Sequence, residues 1–498
     1  MTNETNKNKT DFASRFNKPR KQWIKAIFWC LIYILFVIWL GNFWWLLMLP
    51  VIFDAFITKF IPWTWWKNSK SKAVRAVMSW VDAIVFALIA VYLINNYLFQ
   101  NYQIPTSSLE KTLLVGDFLA VSKAAYGPRV PMTPFSFPLV QNTFPIIDKK
   151  SYLEKPQVKY RRLKGLDTIE RNDIVVFNFP AGDTIVFKKQ NVDYYSICYE
   201  EGLSYMVNVL KQEPTADLCY KYGREIVAAN TAVYGEIMYR PVDRRENYVK
   251  RCVGLPGDTL SIVNNQVYID GKALENFPGV QFNYFIQTDG TRLSKALIDE
   301  MQISNEDYFE LNTANSYGLL QRLGLNPNYP VYYFPLTQAN YNRLQNTSGV
   351  TKLVIEPDWM VTTPVGDSMY PLGGGKGWTR DNYGPIFIPK KGSTIALNAD
   401  TYPIYERCIR NYEGNKLEVR NGQYYINDKP ATSYTFQMDY YWMMGDNRHK
   451  SADSRSWGFV PEDHIVGRPM FVWLSLNKDK TLFGGKIRFD RFFKNARR

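Results

Sequence analysis

The sequence has very little histidine. Its 498 residues include only two, His449 and His464, so a Ser-His-Asp hydrolase would have to use one of them. The zinc-protease pattern His-Glu-x-x-His and the nucleophile elbow Gly-x-Ser-x-Gly are both absent, as are a P-loop and a dinucleotide-binding glycine fingerprint. A nucleophilic enzyme built from this chain therefore needs a base other than histidine.

Cysteine is also scarce, with five residues and no Cys-x-x-Cys pair. This excludes a disulfide framework and a zinc-ribbon type of metal site. Cys198 and Cys219 could form one disulfide in an oxidising compartment, or remain separate thiols, and the sequence leaves both open.

Three apolar segments lie near the N-terminus, at about residues 23–40, 43–58 and 77–98. A helix needs about 20 apolar residues to span the bilayer core. The first and third segments are long enough, whereas the second is interrupted by a proline and an aspartate and is either a short span or a re-entrant segment. We therefore expect residues 23–98 to form a membrane anchor with two or three apolar segments.

The formal charge of +14 is concentrated around this anchor. Lysine and arginine cluster in residues 1–22, a polar tail predicted to be disordered, and in the loop 59–76. Basic flanks stay on the cytoplasmic side, so the chain from about residue 99 onward should lie on the far side. This placement indicates membrane topology and a bilayer partner, and no nucleic-acid partner is expected. A removable signal peptide is excluded because no Ala-x-Ala-like site follows the first segment and further apolar segments come after it.

The remaining roughly 400 residues are expected to be mostly β. Short β-branched or alternating runs are separated by turn residues such as Asn264-Asn265, Asp270-Gly271 and Asn421-Gly422. Residues 295–303 and 336–345 are predicted short helices, and the stretch 366–385, rich in glycine, aspartate and asparagine, is predicted to be a loop. The predicted strands are 173–177, 259–262, 266–269, 417–419 and 424–426.

A weak internal repeat relates Tyr248–Leu274 to Tyr405–Ala431 without gaps. It indicates either a duplicated β unit or two hairpins that share turn chemistry. We expect residues 99–274 and 405–498 to form a β-rich catalytic core, with 275–404 as an insertion or a divergent second β unit.

Four blocks of sequence stand out, and three of them, around Ser108, around Lys250 and at Gly445–Pro461, contain residues that could carry chemistry. Ser108 lies in Gln103–Asp117, shortly after the third apolar segment, and Lys250 lies in Tyr248–Asp258. A buried lysine loses its proton more easily than an exposed one and can then activate a serine hydroxyl. The other two blocks are Asn172–Phe177 and Gly445–Pro461, the latter containing Gly-Asp-Asn-Arg and Ser-Ala-Asp-Ser-Arg.

Together and in this order, the four blocks resemble bacterial type I signal peptidase, in an enlarged multi-span form. The resemblance implies a mainly β, signal-peptidase-like catalytic domain with N-terminal transmembrane helices. It implies Ser108 as nucleophile, Lys250 as general base and Thr106 as an oxyanion-hole hydroxyl. Ser451 would orient the lysine, and Asp453 and Arg455 would form a supporting ion pair. The residues implied to line the small substrate pocket are Ile104, Leu109, Leu113 and Tyr248.

The implied enzyme cleaves signal peptides from exported preproteins at the outer, periplasmic face of the cytoplasmic membrane. It would be a multi-pass protein with no metal or cofactor, and contacts with the secretion machinery are left open. Specificity should favour small residues one and three positions before the cut.

Some positions depart from the family pattern Ser-Met-x-Pro-Thr. Leu109 replaces the methionine, Lys111 replaces the proline, and His449-Lys450 replaces a more usual acidic or amide pair. A second serine, Ser368 in Asp367-Ser-Met-Tyr-Pro371, fits the pattern better than Ser108 does. Its lysine counterpart by the repeat is Arg407, however, and an arginine keeps its proton and cannot be a general base.

Two other functions remain. The chain could be a catalytically silent, membrane-tethered scaffold, against which the retention of Ser108, Lys250 and Ser451 argues. It could instead be a self-cleaving regulator, although it has no output domain and no evident Ala-Gly cut site.

Overall fold

The N-terminal part of the computed structural model is helical. The model describes residues 16–41, 43–144, 149–189, 192–311, 315–360, 369–371 and 376–498, so most of the predicted tail 1–22 lies outside the described residues. The helices are α1 (Arg20–Leu40), α2 (Leu49–Phe53), α3 (Lys72–Tyr97), α4 (Tyr194–Ser204), α5 (Ala216–Ala229), α6 (Thr231–Tyr234), α7 (Lys295–Glu300), α8 (Tyr317–Arg322), α9 (Gln338–Gln345), α10 (Tyr402–Arg407) and α11 (Ser454–Trp457).

Helices α1 and α3 are long and apolar enough to cross a membrane, judged by length and composition only. Helix α1 ends at Gly41, whose φ of 61° lets its N–H reach the carbonyls of Val37 and Ile38. The side chain of Ser71 caps the start of α3. The second apolar segment forms short pieces, a 3₁₀ turn, α2 and a π-helical turn, and is shorter than the other two.

The rest of the chain is mainly β, which confirms the expected fold class. The strands are β1 (Phe99–Gln103), β2 (Asp117–Ser122), β3 (Ile174–Asn178), β4 (Thr184–Val186), β5 (Ile237–Tyr239), β6 (Asn247–Gly254), β7 (Thr259–Val263), β8 (Gln266–Ile269), β9 (Lys272–Ala273), β10 (Gln281–Thr288), β11 (Phe309–Glu310), β12 (Val331–Thr337), β13 (Val350–Ile355), β14 (Tyr383–Phe387), β15 (Thr394–Ala396), β16 (Leu417–Arg420), β17 (Gln423–Ile426), β18 (Lys429–Pro430), β19 (Ser433–Thr435), β20 (Tyr440–Met444), β21 (Val460–Pro461) and β22 (Ile465–Ser475).

The largest sheet has seven strands in the order β1-β2-β22-β3-β6-β20-β21, with antiparallel neighbours. Strand β3 is buried on both faces. Ile174 and Val176 pack with one hydrophobic cluster, and Val175 and Phe177 pack with another. This two-sided burial explains why the sequence of β3 is a continuous apolar run instead of an alternating one.

The internal repeat corresponds to structure only in part. The three-stranded meander β7-β8-β9 matches β16-β17-β18 in register, and Asn264, Asp270 and Asn421 have the positive φ angles that the predicted turns require. The strand β6, however, aligns with α10 and the π-helical turn after it. The likeness is thus limited to strands joined by similar turns.

Residues 281–355 contribute a separate four-stranded antiparallel sheet in the order β11-β12-β10-β13. Helices α7 and α9 pack against it and confirm the two predicted short helices. Strand β14 follows this unit in the chain and pairs with β7. We call residues 281–355 the inserted sheet, because they lie in the stretch 275–404 for which an insertion is one of the two predictions.

A helical hairpin formed by α4 and α5 was not predicted. The two helices cross so closely that no side chain fits at the crossing points. A Cβ on Gly202 would lie 1.8 Å from the carbonyl oxygen of Cys219, and one on Gly223 would lie 1.7 Å from that of Cys198. Glycine at each crossing point allows this close approach, and Ile197, Cys198 and Val227 of the two helices are buried in one hydrophobic cluster. Both cysteines are buried free thiols in the structure, as are Cys252 and Cys408, and Cys30 is also free.

The segment after β22 returns beneath the large sheet. Arg491 pairs with the buried carboxylate of Asp117 on β2 and donates to the carbonyl of Thr112 at 3.0 Å. Ala496 is fully buried in the cluster that contains Ile104 and Leu109. Residues 489–497 therefore complete the core under the segment that carries Ser108.

Candidate active site

Ser108 lies in a single 3₁₀ turn, Ser107–Leu109, that follows β1. The backbone N–H of Asn447 donates to the carbonyl of Ser108 at 3.0 Å, and its side-chain amide donates to the carbonyl of Ser107 at 3.3 Å. Leu109 is buried in the core below. These contacts fix the turn, so the hydroxyl of Ser108, a residue only 8% exposed, has a defined position.

Lys250 lies on β6 opposite Val175 of β3, in the middle of the large sheet. Its side-chain nitrogen Nζ is 2.5 Å from Ser108 Oγ, and the residue is 4% exposed. Burial lowers the pKa of this amine to about 8, against the opposing influence of Asp453 and Asp446. The sequence-predicted pair therefore meets in the structure, with the lysine in a setting that favours its neutral form.

Two buried ion pairs surround Ser108 and Lys250, which we call the dyad. Asp453 binds Arg455 at 2.8 Å and accepts the N–H of Gly445 at 3.1 Å. Asp446 forms two 2.7 Å hydrogen bonds with Arg251, the residue after Lys250.

The sequence did not predict the Asp446–Arg251 pair, although Asp446 lies in the block Gly445–Pro461 and Arg251 in the block Tyr248–Asp258. Thr112 donates to the same Asp446 carboxylate at 2.7 Å. This hydrogen bond links the segment Gln103–Asp117, which we call the serine segment, to the Gly-Asp-Asn-Arg block. This ion pair could have been predicted, because the two residues carry opposite charges and lie in blocks that must come close together.

A cavity of about 500 Å³ opens beside the dyad. Ser108, Lys250, Ile104, Leu109 and Tyr248 line it. Leu113 is not among the described lining residues and instead packs with Ile104 and Leu109 in the core.

On its far side the cavity is bounded by the unpredicted helical region. Val192 and Asp193, at the start of α4, contribute to the lining together with Phe179, on which Tyr248 stacks at 4.6 Å. The hairpin thus helps to shape the space in front of the dyad.

Thr106 and Ser451 differ in how they sit at the site. Thr106 is extended, exposed and lines the cavity, and within the described part of the chain its hydroxyl makes no hydrogen bond. Gly445 lies between Ser451 and the 3₁₀ turn that carries Ser108, which we call the serine turn. A Cβ on Gly445 would be 2.3 Å from Ser451 Oγ and 2.6 Å from the Ser108 carbonyl, so Ser451 is next to this turn. Its hydroxyl donates to the carbonyl of Ala452 at 3.4 Å, and no hydrogen bond to Lys250 is found among the described residues.

Three of the positions that depart from the family pattern, Lys111, His449 and Lys450, contact the inserted sheet or the loops beside it. Lys111 Nζ donates to the carbonyls of Met301, at 2.9 Å, and Gln302. Lys450 pairs with Asp307 at 2.8 Å. His449 accepts from the N–H of Asn283 at 3.2 Å and lies 3.3 Å from a carboxylate oxygen of Asp381. The unusual residues thus connect the serine segment and the Gly-Asp-Asn-Arg block to the insertion.

Among the described residues, neither histidine side chain forms a hydrogen bond with Ser108. His449 is engaged by the inserted sheet, and His464 bonds to Asp463 at 2.6 Å and Arg245 at 2.7 Å. Ser368 lies outside the described residues. Its repeat-derived partner Arg407 lies on helix α10 and stacks over Tyr195 at 4.7 Å.

Comparison with known proteins agrees with this arrangement. The family described as "Signal peptidase, peptidase S26" matches residues 77–317 and 391–474. The chain belongs to the signal peptidase family. The matched residues include the serine segment, the strand of Lys250 and the Gly-Asp-Asn-Arg block.

Individual signal peptidases match at low identity, some over most of this chain and others over a shorter stretch. A protein named Signal peptidase I from Haemophilus influenzae is 24% identical over 428 residues, which cover 86% of this chain and 78% of that protein. One from Buchnera aphidicola is 21% identical over 425 residues, covering 85% and 84%. Signal peptidase IB from Staphylococcus aureus is 28% identical over 125 residues, covering 19% of this chain and 65% of that protein.

Proposed function

We propose that this chain is a Ser-Lys dyad endopeptidase that removes signal peptides from exported preproteins. The observation that carries the proposal is the 2.5 Å contact between Lys250 Nζ and Ser108 Oγ in a buried setting. The signal peptidase family to which the chain belongs supplies the substrate class.

In the proposed reaction, neutral Lys250 takes the proton of the Ser108 hydroxyl while Oγ bonds to the scissile carbonyl carbon. The Thr106 hydroxyl, which makes no other hydrogen bond in the described structure, helps to stabilise the oxyanion. The protonated lysine then gives its proton to the leaving amine as the peptide C–N bond breaks. The same amine activates water, which releases the signal peptide from the serine.

The substrate would bind in extended form beside β1. This strand lies at an edge of the large sheet and leads directly into the extended Thr106 and the serine turn. Adding a strand to such an edge uses backbone hydrogen bonds and leaves alternate side chains to enter pockets. The cavity lined by Ile104, Leu109 and Tyr248 would receive the small residue before the cut.

The proposed setting is the outer face of the cytoplasmic membrane, with α1 and α3 as spans. The basic segments before α1 and before α3 would remain cytoplasmic. Because β1 begins two residues after α3 ends, the serine turn would lie close to the membrane surface.

The test is cleavage of an exported precursor by the full chain in detergent, with sequencing of the new N-terminus. We expect a cut after a small residue, and loss of cleavage in Ser108→Ala and in Lys250→Met. Ser368→Ala serves as the matched control and should cleave normally. Normal cleavage by either dyad variant would overturn the assignment, and an inactive unmodified chain would favour the scaffold function.

A further inference from the structure

A second cavity, of about 410 Å³, lies at the C-terminal end of α3, and its lining is polar. Tyr92 and Asn96 of α3 line it together with Gln100 and Asn101 of β1. It adjoins the dyad cavity, with which it shares residues of β1 and β6, but contains neither Ser108 nor Lys250.

The charges in this cavity do not balance. Three cations, Lys123, Arg129 and Arg244, line it, whereas Asp243 is the one acidic side chain among the described lining residues. The Asp243 carboxylate already accepts both the N–H and the hydroxyl of Thr133, at 2.8 and 2.7 Å. An uncompensated cluster of cations in an enclosed space is unfavourable unless an anion joins it.

Two of the cations have unused donors. Lys123 Nζ donates no hydrogen bond to any described residue, and burial followed by the charges of Arg129 and Arg244 lowers the pKa of this amine to about 7. Arg244 is 8% exposed, and its Nε has no hydrogen-bond partner among the described residues, lying 4.0 Å from the nearest Asp243 oxygen. Within the described part of the chain, Arg129 donates to two neutral acceptors, the side chain of Asn178 at 2.7 Å and the backbone carbonyl of Asp463, while the carboxylates of Asp243 and Asp463 act on it through their charge.

The depth of the cavity indicates where its anion comes from. Helix α3 has 26 residues, which at about 1.5 Å per residue is longer than the roughly 30 Å hydrocarbon core. Its last turn, with Asn95 and Asn96, would therefore lie among the lipid headgroups. This step rests on the membrane placement in the proposed function.

We propose that this cavity binds a phosphate group, held by Lys123 and Arg244 and supplied either by an anionic lipid headgroup or by free phosphate. Both cationic side chains have N–H groups that can donate hydrogen bonds to phosphate oxygens. The neutral amides of Asn96, Gln100 and Asn101 provide further donors for the remaining oxygens or for a headgroup hydroxyl.

The test is direct binding to the full chain in a neutral detergent. Dihexanoyl phosphatidylglycerol and inorganic phosphate are titrated separately by calorimetry against the unmodified protein, Lys123→Gln and Lys390→Gln. Lys123→Gln should weaken binding at least about tenfold, and its folding should be normal because the ammonium makes no hydrogen bond in the described structure. The exposed Lys390, far from α3 in the fold, is the matched control and should leave binding unchanged.

Each outcome decides one point. Tighter binding of phosphatidylglycerol than of inorganic phosphate assigns the site to a lipid headgroup, and equal or tighter binding of inorganic phosphate assigns it to the free ion. No binding of either probe, or binding that Lys123→Gln does not weaken, overturns the proposal. Ser108→Ala, which should abolish cleavage, should bind the probes normally, so failure of the proposed dyad and failure of this site can be told apart.

Discussion

At the scale of single residues, the chemistry depends on how an amine at the centre of a sheet loses its charge. Lys250 is buried and close to Asp446 and Asp453, whose carboxylates favour the ammonium, while burial favours the neutral amine and dominates. The two carboxylates are themselves neutralised by Arg251 and Arg455. Because the two carboxylates are paired in this way, burial remains the main influence on the pKa of Lys250.

The first prediction concerns pH. Because cleavage needs the neutral amine and the pKa of Lys250 is lowered to about 8, kcat/KM should rise about tenfold per pH unit below that value and level off above it. The measurement is kcat/KM for a precursor between pH 6 and 10. A flat profile below pH 8 would contradict the role of the lysine as base.

The second prediction concerns Gly445, which leaves no room for a side chain. In Gly445→Ala the new Cβ would be 2.6 Å from the Ser108 carbonyl and 2.3 Å from Ser451 Oγ. The serine turn must shift, and a displacement of about 1 Å can reduce kcat about 100-fold. Gly318→Ala, where nothing lies within 4 Å of the new Cβ, is the control and should keep full activity in the same steady-state assay. Equal activity of the two variants would show that the turn tolerates the shift.

At this scale the sequence predicted that Ser108 and Lys250 would lie together, as they do in the structure, but not the residues that surround them. Ser108 and Lys250 could be chosen because each lies in a block with a recognisable order of residues. The Asp446–Arg251 pair could not be chosen, because which charges meet inside the core depends on the register of β6 and β20. The hydrogen bond expected from Ser451 to the lysine depends on one rotamer, which a sequence does not specify.

At the scale of elements, the inserted sheet supports the catalytic core. Lys111, His449 and Lys450 are three of the positions where this chain departs from the family pattern, and each contacts this sheet or a loop beside it. These three departures therefore form contacts between the serine segment or the Gly-Asp-Asn-Arg block and residues 281–355.

The third prediction tests this support through Lys111, a positioning residue. In Lys111→Met the serine segment loses its hydrogen bonds to the carbonyls of Met301 and Gln302, so kcat should fall about tenfold with little change in KM. Lys111→Arg should restore part of the loss because it keeps donors at this position.

The control for this variant is Lys352→Met. Lys352 donates to the carbonyl of Gly324 at 2.8 Å within the insertion and does not contact the serine segment. It should leave kcat unchanged. An equal effect of Lys352→Met and Lys111→Met on kcat would show that general loosening of the insertion, and not the contact to the serine segment, is responsible.

Strands were predicted better than the helical hairpin, for a physical reason. The predicted strands near residues 259–269 and 417–426 are bounded by asparagine and glycine at positive φ, a local signal that needs no tertiary information. Helices α4 and α5 are held together by close contact at Gly202 and Gly223. Their buried residues also pack against Val186 of β4 and Tyr234 of α6, and local sequence does not reveal such tertiary contacts.

At the scale of the whole molecule, the core under the serine turn is closed by residues distant in the sequence. Arg491 and Asp117 are 374 positions apart and meet in a buried ion pair. Ala496 fills the cluster beneath Leu109.

The fourth prediction is that Arg491→Met destabilises the fold. The change leaves the Asp117 carboxylate buried beside Ser475 without its cation, which costs about 3–5 kcal/mol. Thermal unfolding in detergent should show a clearly lower midpoint. Arg420→Met removes an exposed arginine that pairs with Glu418 and should change the midpoint little; a drop of the same size in both variants would contradict the importance of the buried pair.

The position of residues 491–496 under the serine turn has a consequence for biosynthesis. Ser108 is made early in translation, but the arginine and alanine that complete the floor beneath it emerge only after more than 370 further residues. Under the proposed function, the nascent chain should therefore remain inactive until these residues have been made. The proposed protease would in this way be kept from attacking neighbouring chains, or its own apolar segments, during its own synthesis.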